Sequence, residues 1–123
     1  MTRAPALALL ALILLAAPPA LAGEAAVVSA RAAPSGATWR FDVTVSHSDE
    51  GWEHYADAWQ VIGPDGAVLG ERTLLHPHEA EQPFTRSLSG VSIPEGVTEV
   101  TIRARDSVHG WGEAEVTVKL AAD

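Results

Sequence analysis

The chain holds five histidines, His47, His54, His76, His78 and His109, and no cysteine. Imidazole nitrogen combined with carboxylate oxygen, without sulfur, is a donor set that suits Zn²⁺ or Cu²⁺. The tightest spacing is His76-Pro77-His78. Proline pushes the residue before it into extended geometry, and extended residues two apart point the same way, about 6.6 Å from each other. Two such rings can converge on one ion, with metal–nitrogen distances of about 2.0–2.1 Å. His54, His109 or His47 would supply a third ligand, and Asp106 or Glu79 would complete the shell or orient a ring. The competing reading is a polar loop whose rings bond to backbone groups. Trp52, Tyr55 and Trp111 fall in the same stretches. Aromatic residues in loops either contact a sugar or a protein or fold back over the core.

The signs of catalysis are thin. The serines lack a nucleophile-elbow context, a Cys–His pair is impossible, and there is no Gly-rich phosphate loop. The expectation is a binding module and not an enzyme.

What would hold these residues together is a set of strands. From Thr38 to His47 the sequence alternates strictly, with Trp39, Phe41, Val43, Val45 and His47 on one face. Period two with one apolar face marks a half-buried strand. Val100 to Asp106 and Ala114 to Leu120 repeat the pattern. Trp59 to Leu69, broken by Pro64-Asp65-Gly66, reads as a hairpin. Weaker strands cover Ala25 to Ala33 and Phe84 to Ile93. The expectation is seven strands, at about 25–33, 38–47, 57–63, 67–75, 84–93, 98–106 and 113–120. Seven short strands with regular turns predict an all-β, seven-stranded antiparallel immunoglobulin-like β-sandwich.

The connections alternate in character. Pro34-Ser35-Gly36, Pro64-Asp65-Gly66 and Pro94-Glu95-Gly96 are compact turns, with proline presetting φ and glycine supplying positive φ. The other three connections, at 48–56, 76–83 and 107–112, are polar. An up-and-down path puts the compact turns at one end and gathers all five histidines at the other, with Trp52, Tyr55, Trp111, Asp106 and Glu79.

Met1-Thr2-Arg3, an apolar run from Ala6 to Ala17 and Pro18-Pro19-Ala20-Leu21-Ala22 have the form of a secretory signal with a small-x-small cleavage site. The run is about a dozen residues, short of the ~20 needed to span a membrane. The expected division is a leader at 1–22 and a sandwich domain at 23–123, exported to the periplasm or the medium, with no membrane attachment after cleavage and no cysteine for lipid attachment. All 16 acids but only 7 of the 8 basic residues follow Ala22, which leaves the processed chain at −9 with histidine neutral. That excess speaks against nucleic acid and anionic lipid as partners and is compatible with a cation.

Val100-Thr101-Ile102-Arg103-Ala104-Arg105-Asp106, followed by a Gly-containing turn, resembles the last hairpin of small secreted bacterial immunoglobulin-like and fibronectin-III-like domains. The resemblance implies the fold and no activity. In outline a sandwich with surface histidines is also similar to periplasmic copper-resistance proteins. This chain departs from them in having no methionine after Met1 and no histidine at the processed terminus, which excludes a thioether Cu(I) site. Two functions remain as expectations. One is a divalent transition-metal site (Zn or Cu(II)) built from the histidines. The other is an extracytoplasmic protein- or glycan-binding surface of Trp52, Tyr55 and Trp111, with histidines titrating near their ordinary value of about 6.5. A purely structural secreted domain is the third reading.

Overall fold

The computed structural model describes residues 23–120. The leader expected over 1–22 lies outside the described residues. Among the described residues there are eight strands and no helix: β1 Ala26–Ser35, β2 Thr38–Ser46, β3 Ala56–Ile62, β4 Val68–Thr73, β5 Phe84–Val91, β6 Glu99–Asp106, β7 Gly110–Trp111 and β8 Val116–Lys119. Strands β1-β2-β5 form one sheet. In the other the order is β4-β3-β6, with β7 and β8 both along the free edge of β6. Every pairing is antiparallel.

The alternation of the sequence becomes the core. Phe41, Val43 and Val45 of β2, Trp59 and Val61 of β3, and Val100, Ile102 and Ala104 of β6 are all buried in one cluster shared by the two sheets. Each valine, isoleucine or phenylalanine among them contributes about 1.5–3 kcal/mol through burial. In a chain without disulfides this is the main source of rigidity for the loops above. The hairpin turn of β3–β4 and the β5–β6 turn lie together, lining one depression from Gly63 to Leu69 and from Pro94 to Val97. Gly66 and Gly96 there have φ of 88° and 90°, which only glycine adopts without strain.

The expected seventh strand at 113–120 is shorter, Val116–Lys119, and an additional two-residue strand, Gly110–Trp111, falls within the connection expected at 107–112. Trp111 pairs with Arg105 and Val116 with Ile102, so the segment between them leaves the sheet. It crosses toward β1, where the Val27 N–H donates to the Ala114 carbonyl at 3.0 Å. Gly112 makes the crossing possible: a Cβ there would collide with the Ala25 carbonyl oxygen. The competing bond to β1 delays the start of β8 and fastens the start of the described chain to the polar-loop end.

Candidate functional site

Two inward columns of the core end in polar residues. In β2 the parity of Phe41, Val43 and Val45 carries on to His47, which is 4% exposed, and in β6 that of Val100, Ile102 and Ala104 carries on to Asp106, 1% exposed. They come from opposite sheets and meet, with His47 Nε2 3.5 Å from Asp106 Oδ2. His54, on the β2–β3 loop, packs edge-on against His47 with centroids 4.8 Å apart. His109, on the β6–β7 loop, lies 5.0 Å from His54. Ligand atoms of His47, His54 and Asp106 all fall within 4.8 Å of one another.

The rings are oriented from behind by carboxylates. The His47 Nδ1–H donates to Asp49 Oδ1 at 2.5 Å, and the His54 Nδ1–H donates to Glu50 Oε1 at 2.7 Å. An ionised carboxylate only accepts, so each Nδ1 carries the hydrogen, and in the neutral ring Nε2 is then a lone pair. Asp49 is itself fixed, accepting the N–H of Ala56 at 3.1 Å and of His78 at 2.6 Å. This carboxylate–histidine arrangement is how proteins aim imidazole at a metal.

The two aimed nitrogens reach the same place. His47 Nε2 and His54 Nε2 lie 3.1 and 3.2 Å from the Gly23 carbonyl oxygen, and 3.5 and 3.7 Å from the two oxygens of Asp106. A tetrahedral site with metal–ligand distances of about 2.1 Å has ligand–ligand edges of about 3.4 Å. The four separations lie around that edge, the two to Asp106 going to different oxygens, and the ligand atoms of His47, His54 and Asp106 lie within 4.8 Å of one another. Lone pairs that face one another at these distances repel unless a positive charge lies among them, or unless both rings take up a second proton.

The electrostatics point the same way. Burial pushes the Asp106 carboxyl up, but the backbone N–H groups of His109 and Val108 and the His109 ring outweigh burial and hold it below the usual range. The His54 ring is raised above its ordinary value, chiefly by the bond to Glu50, with burial opposing and the Gly23 carbonyl and Asp106 adding to the rise. Among the described residues, Asp49, Glu50 and Asp106 form ion pairs with histidines alone. Arg105 and Arg86 are committed elsewhere, to Asp57 and Glu81. Three carboxylates and a carbonyl oxygen thus surround the ring nitrogens with negative potential.

The H-P-H pair lies outside this group. His76 is exposed and its Nδ1–H donates to the neighbouring Pro77 carbonyl at 3.1 Å. His78 is 6% exposed and stacks on Phe84 at 4.0 Å. Neither of its ring nitrogens has a hydrogen-bond partner, and burial, followed by the charges of Arg86 and His76, lowers its pKa. The two rings are 4.7 Å apart, and Nδ1 of His78 is 4.0 Å from Asp49 Oδ2. All five histidines therefore form one continuous series at the polar end, but only His47, His54 and Asp106 converge, with His109 bonded to Asp106 at 3.0 Å.

The aromatic residues divide. Trp52 is 66% exposed and edge-on to the half-buried Tyr55 at 5.7 Å. Trp111 is a strand residue lying under the guanidinium groups of Arg103 and Arg105, at 4.2 and 5.2 Å. Glu79 is exposed and lines a shallow depression with Gly51, Trp52, His76 and Pro77. Gly23, Asp49 and Glu50 were not among the expected site residues, although both acids were expected at this end of the fold. An acid two residues after His47 and another four before His54 were the readable signals for the last two.

No family model matches the chain, and no solved structure matches it. A "Putative lipoprotein" of Halomicrobium mukohataei is similar, 46% identical over 78 residues, which is 63% of this chain. The matched part spans 38% of that relative's length.

Proposed function

We propose that this is an exported binding module whose polar end takes one divalent transition-metal ion, Zn²⁺ or Cu²⁺, on His47 Nε2, His54 Nε2 and Asp106. The observation that carries the reading is the convergence of two ring nitrogens, each ring held by a carboxylate at its Nδ1, on one carboxylate and one carbonyl. His109 would position Asp106, and Asp49 and Glu50 would position the rings. Export is supported by the leader-like sequence at 1–22 and by the lipoprotein name of the relative. The sheet orders β1-β2-β5 and β4-β3-β6-β8 support an immunoglobulin-like or fibronectin-III-like sandwich as the scaffold. Titration calorimetry of chelator-treated protein with Zn²⁺ and Cu²⁺ tests the function. One saturable site, abolished in His47→Ala, is expected, and a flat titration would end the reading.

A second reading rests on Trp52. Its exposure, at a depression it lines with Gly51, His76, Pro77 and Glu79, suits contact with a protein or glycan. Trp52→Ala would then weaken that contact and leave the metal titration unchanged.

A further inference from the structure

Gly23 is where the leader pattern puts the first residue of the processed chain, and it is also the residue the histidines enclose. Its carbonyl oxygen faces His47 Nε2 and His54 Nε2 at 3.1 and 3.2 Å. On its other side lies the His109 ring, so close that a Cβ on Gly23 would fall 2.8 Å from Cε1 and 3.2 Å from Nε2. Its φ is +85°. Both the space and the backbone conformation admit only glycine. The segment behind it is anchored by the Val27 N–H to the Ala114 carbonyl, by the contact of Ala25 with Gly112, and by the Glu113 N–H to Glu24 at 3.2 Å. A bare backbone is thus held at the focus of three imidazoles.

Resting on the metal reading above, we propose that the α-amino group of Gly23, once freed by processing, is itself a ligand. It would chelate the ion together with the Gly23 carbonyl oxygen, alongside His47, His54 and Asp106. Bond lengths keep the nitrogen and oxygen of one residue roughly 2.7–3.6 Å apart, and with the two turned to the same side, at the short end of that range, they would close a five-membered ring on one ion. In the uncleaved chain that nitrogen is an amide, its lone pair delocalised into the peptide bond, and it is a poor donor. Hydrolysis of the Ala22–Gly23 bond by an export peptidase gives the water hydroxyl to the Ala22 carboxyl and a hydrogen to the Gly23 nitrogen. That one step turns a non-ligand into a ligand. Three nitrogens with oxygen and no sulfur favour Cu²⁺ over Zn²⁺, in affinity order and in tetragonal geometry. Leader removal would therefore complete the site, and the precursor would hold copper less tightly than the exported protein.

The test compares the full chain, expressed with its leader in an exporting host, with a variant carrying one alanine inserted between Ala22 and Gly23. Intact mass identifies each terminus, and both products are stripped with chelator and titrated with Cu²⁺ against a competing chelator. The parent is expected to begin at Gly23 and to show three coordinated nitrogens by electron paramagnetic resonance. The inserted variant should bind at least about tenfold more weakly and lose one nitrogen from the spectrum. If the insertion prevents folding, acetylation of the Gly23 amine on the folded parent should produce the same loss. Equal affinity and equal spectra in blocked and free forms would overturn the amine ligand while leaving the histidine site intact. A product that does not begin at Gly23 would overturn it too. Failure of every form to bind Cu²⁺ would remove the metal reading itself.

Discussion

Replacing Asp49 with asparagine tests the device that aims His47. The Asp49 side chain is fully buried and accepts three N–H groups, from His47 Nδ1 at 2.5 Å, Ala56 at 3.1 Å and His78 at 2.6 Å. Asparagine keeps the shape but has one accepting oxygen and an NH₂. If the oxygen takes the Oδ1 position, the NH₂ faces the His78 N–H. If it takes the Oδ2 position, the NH₂ faces Ala56 and His47. Hydrogen bonds to a charged group contribute about 1.5–3 kcal/mol and neutral ones about 0.5–1.5, while a stranded buried donor costs about 1–3. One stranded donor and two weakened bonds come to about 3 kcal/mol. In a domain of this size each kcal/mol lowers Tm by about 4–8 °C, so Asp49→Asn should melt at least ~10 °C below the parent. The assay is thermal unfolding followed by circular dichroism at pH 7 in excess chelator, so that the apo fold alone is measured. A variant melting within about 3 °C of the parent would refute the claim that Asp49 holds this corner together.

Glu50 aims His54 from the surface, so Glu50→Gln should leave Tm almost unchanged and weaken metal affinity about 10–100-fold, as read by competition titration. His78 is buried with both ring nitrogens unpartnered, so His78→Phe, stacked on Phe84, should match or exceed the parent in stability, since no polar atom is then left unpaired. The same variant should flatten the acid limb of stability. The lowered folded pKa of His78 leaves its contribution whole above about 6.5 and lost as pH falls from there through the folded value, which urea unfolding at a series of pH values measures. The raised pKa of His54 means that protons compete with the ion near neutrality. Apparent affinity should therefore climb as pH rises through a value above 6.5, in calorimetric titrations across that range. Gly112→Ala would force backbone against the Ala25 carbonyl. It should cost about 1–3 kcal/mol and lower metal affinity with stability, because the start of β1 and Gly23 would move together.

Period-two alternation made the strands and both ends of the site readable. His47 and Asp106 continue the parity of Val45 and Ala104, so their inward direction follows from sequence alone. Compact Pro-x-Gly turns at one end implied that the polar loops share the other, and the ring contacts bear that clustering out. The His76-Pro77-His78 motif was the sharpest local signal and belongs to a separate pair. Its spacing governs only how two neighbours point, whereas convergence on one ion depends on the sheet-to-sheet crossing that sets His47 opposite Asp106. The late start of the last strand was hidden for the same kind of reason. Ala114 to Leu120 alternates without a break, and only the proximity of Ala25 to Gly112 shows why the chain must leave β6. Gly23 carries no side chain for a pattern to detect, and its part in the site comes from what surrounds it.

Crystals of the processed protein grown with one equivalent of Zn²⁺ or Cu²⁺, measured at the metal's absorption edge, test the central claim most directly. The account predicts one anomalous peak about 2.0–2.2 Å from His47 Nε2, His54 Nε2 and an Asp106 oxygen. A peak between His76 and His78, or none at a metal concentration that saturates the protein in solution, would contradict it.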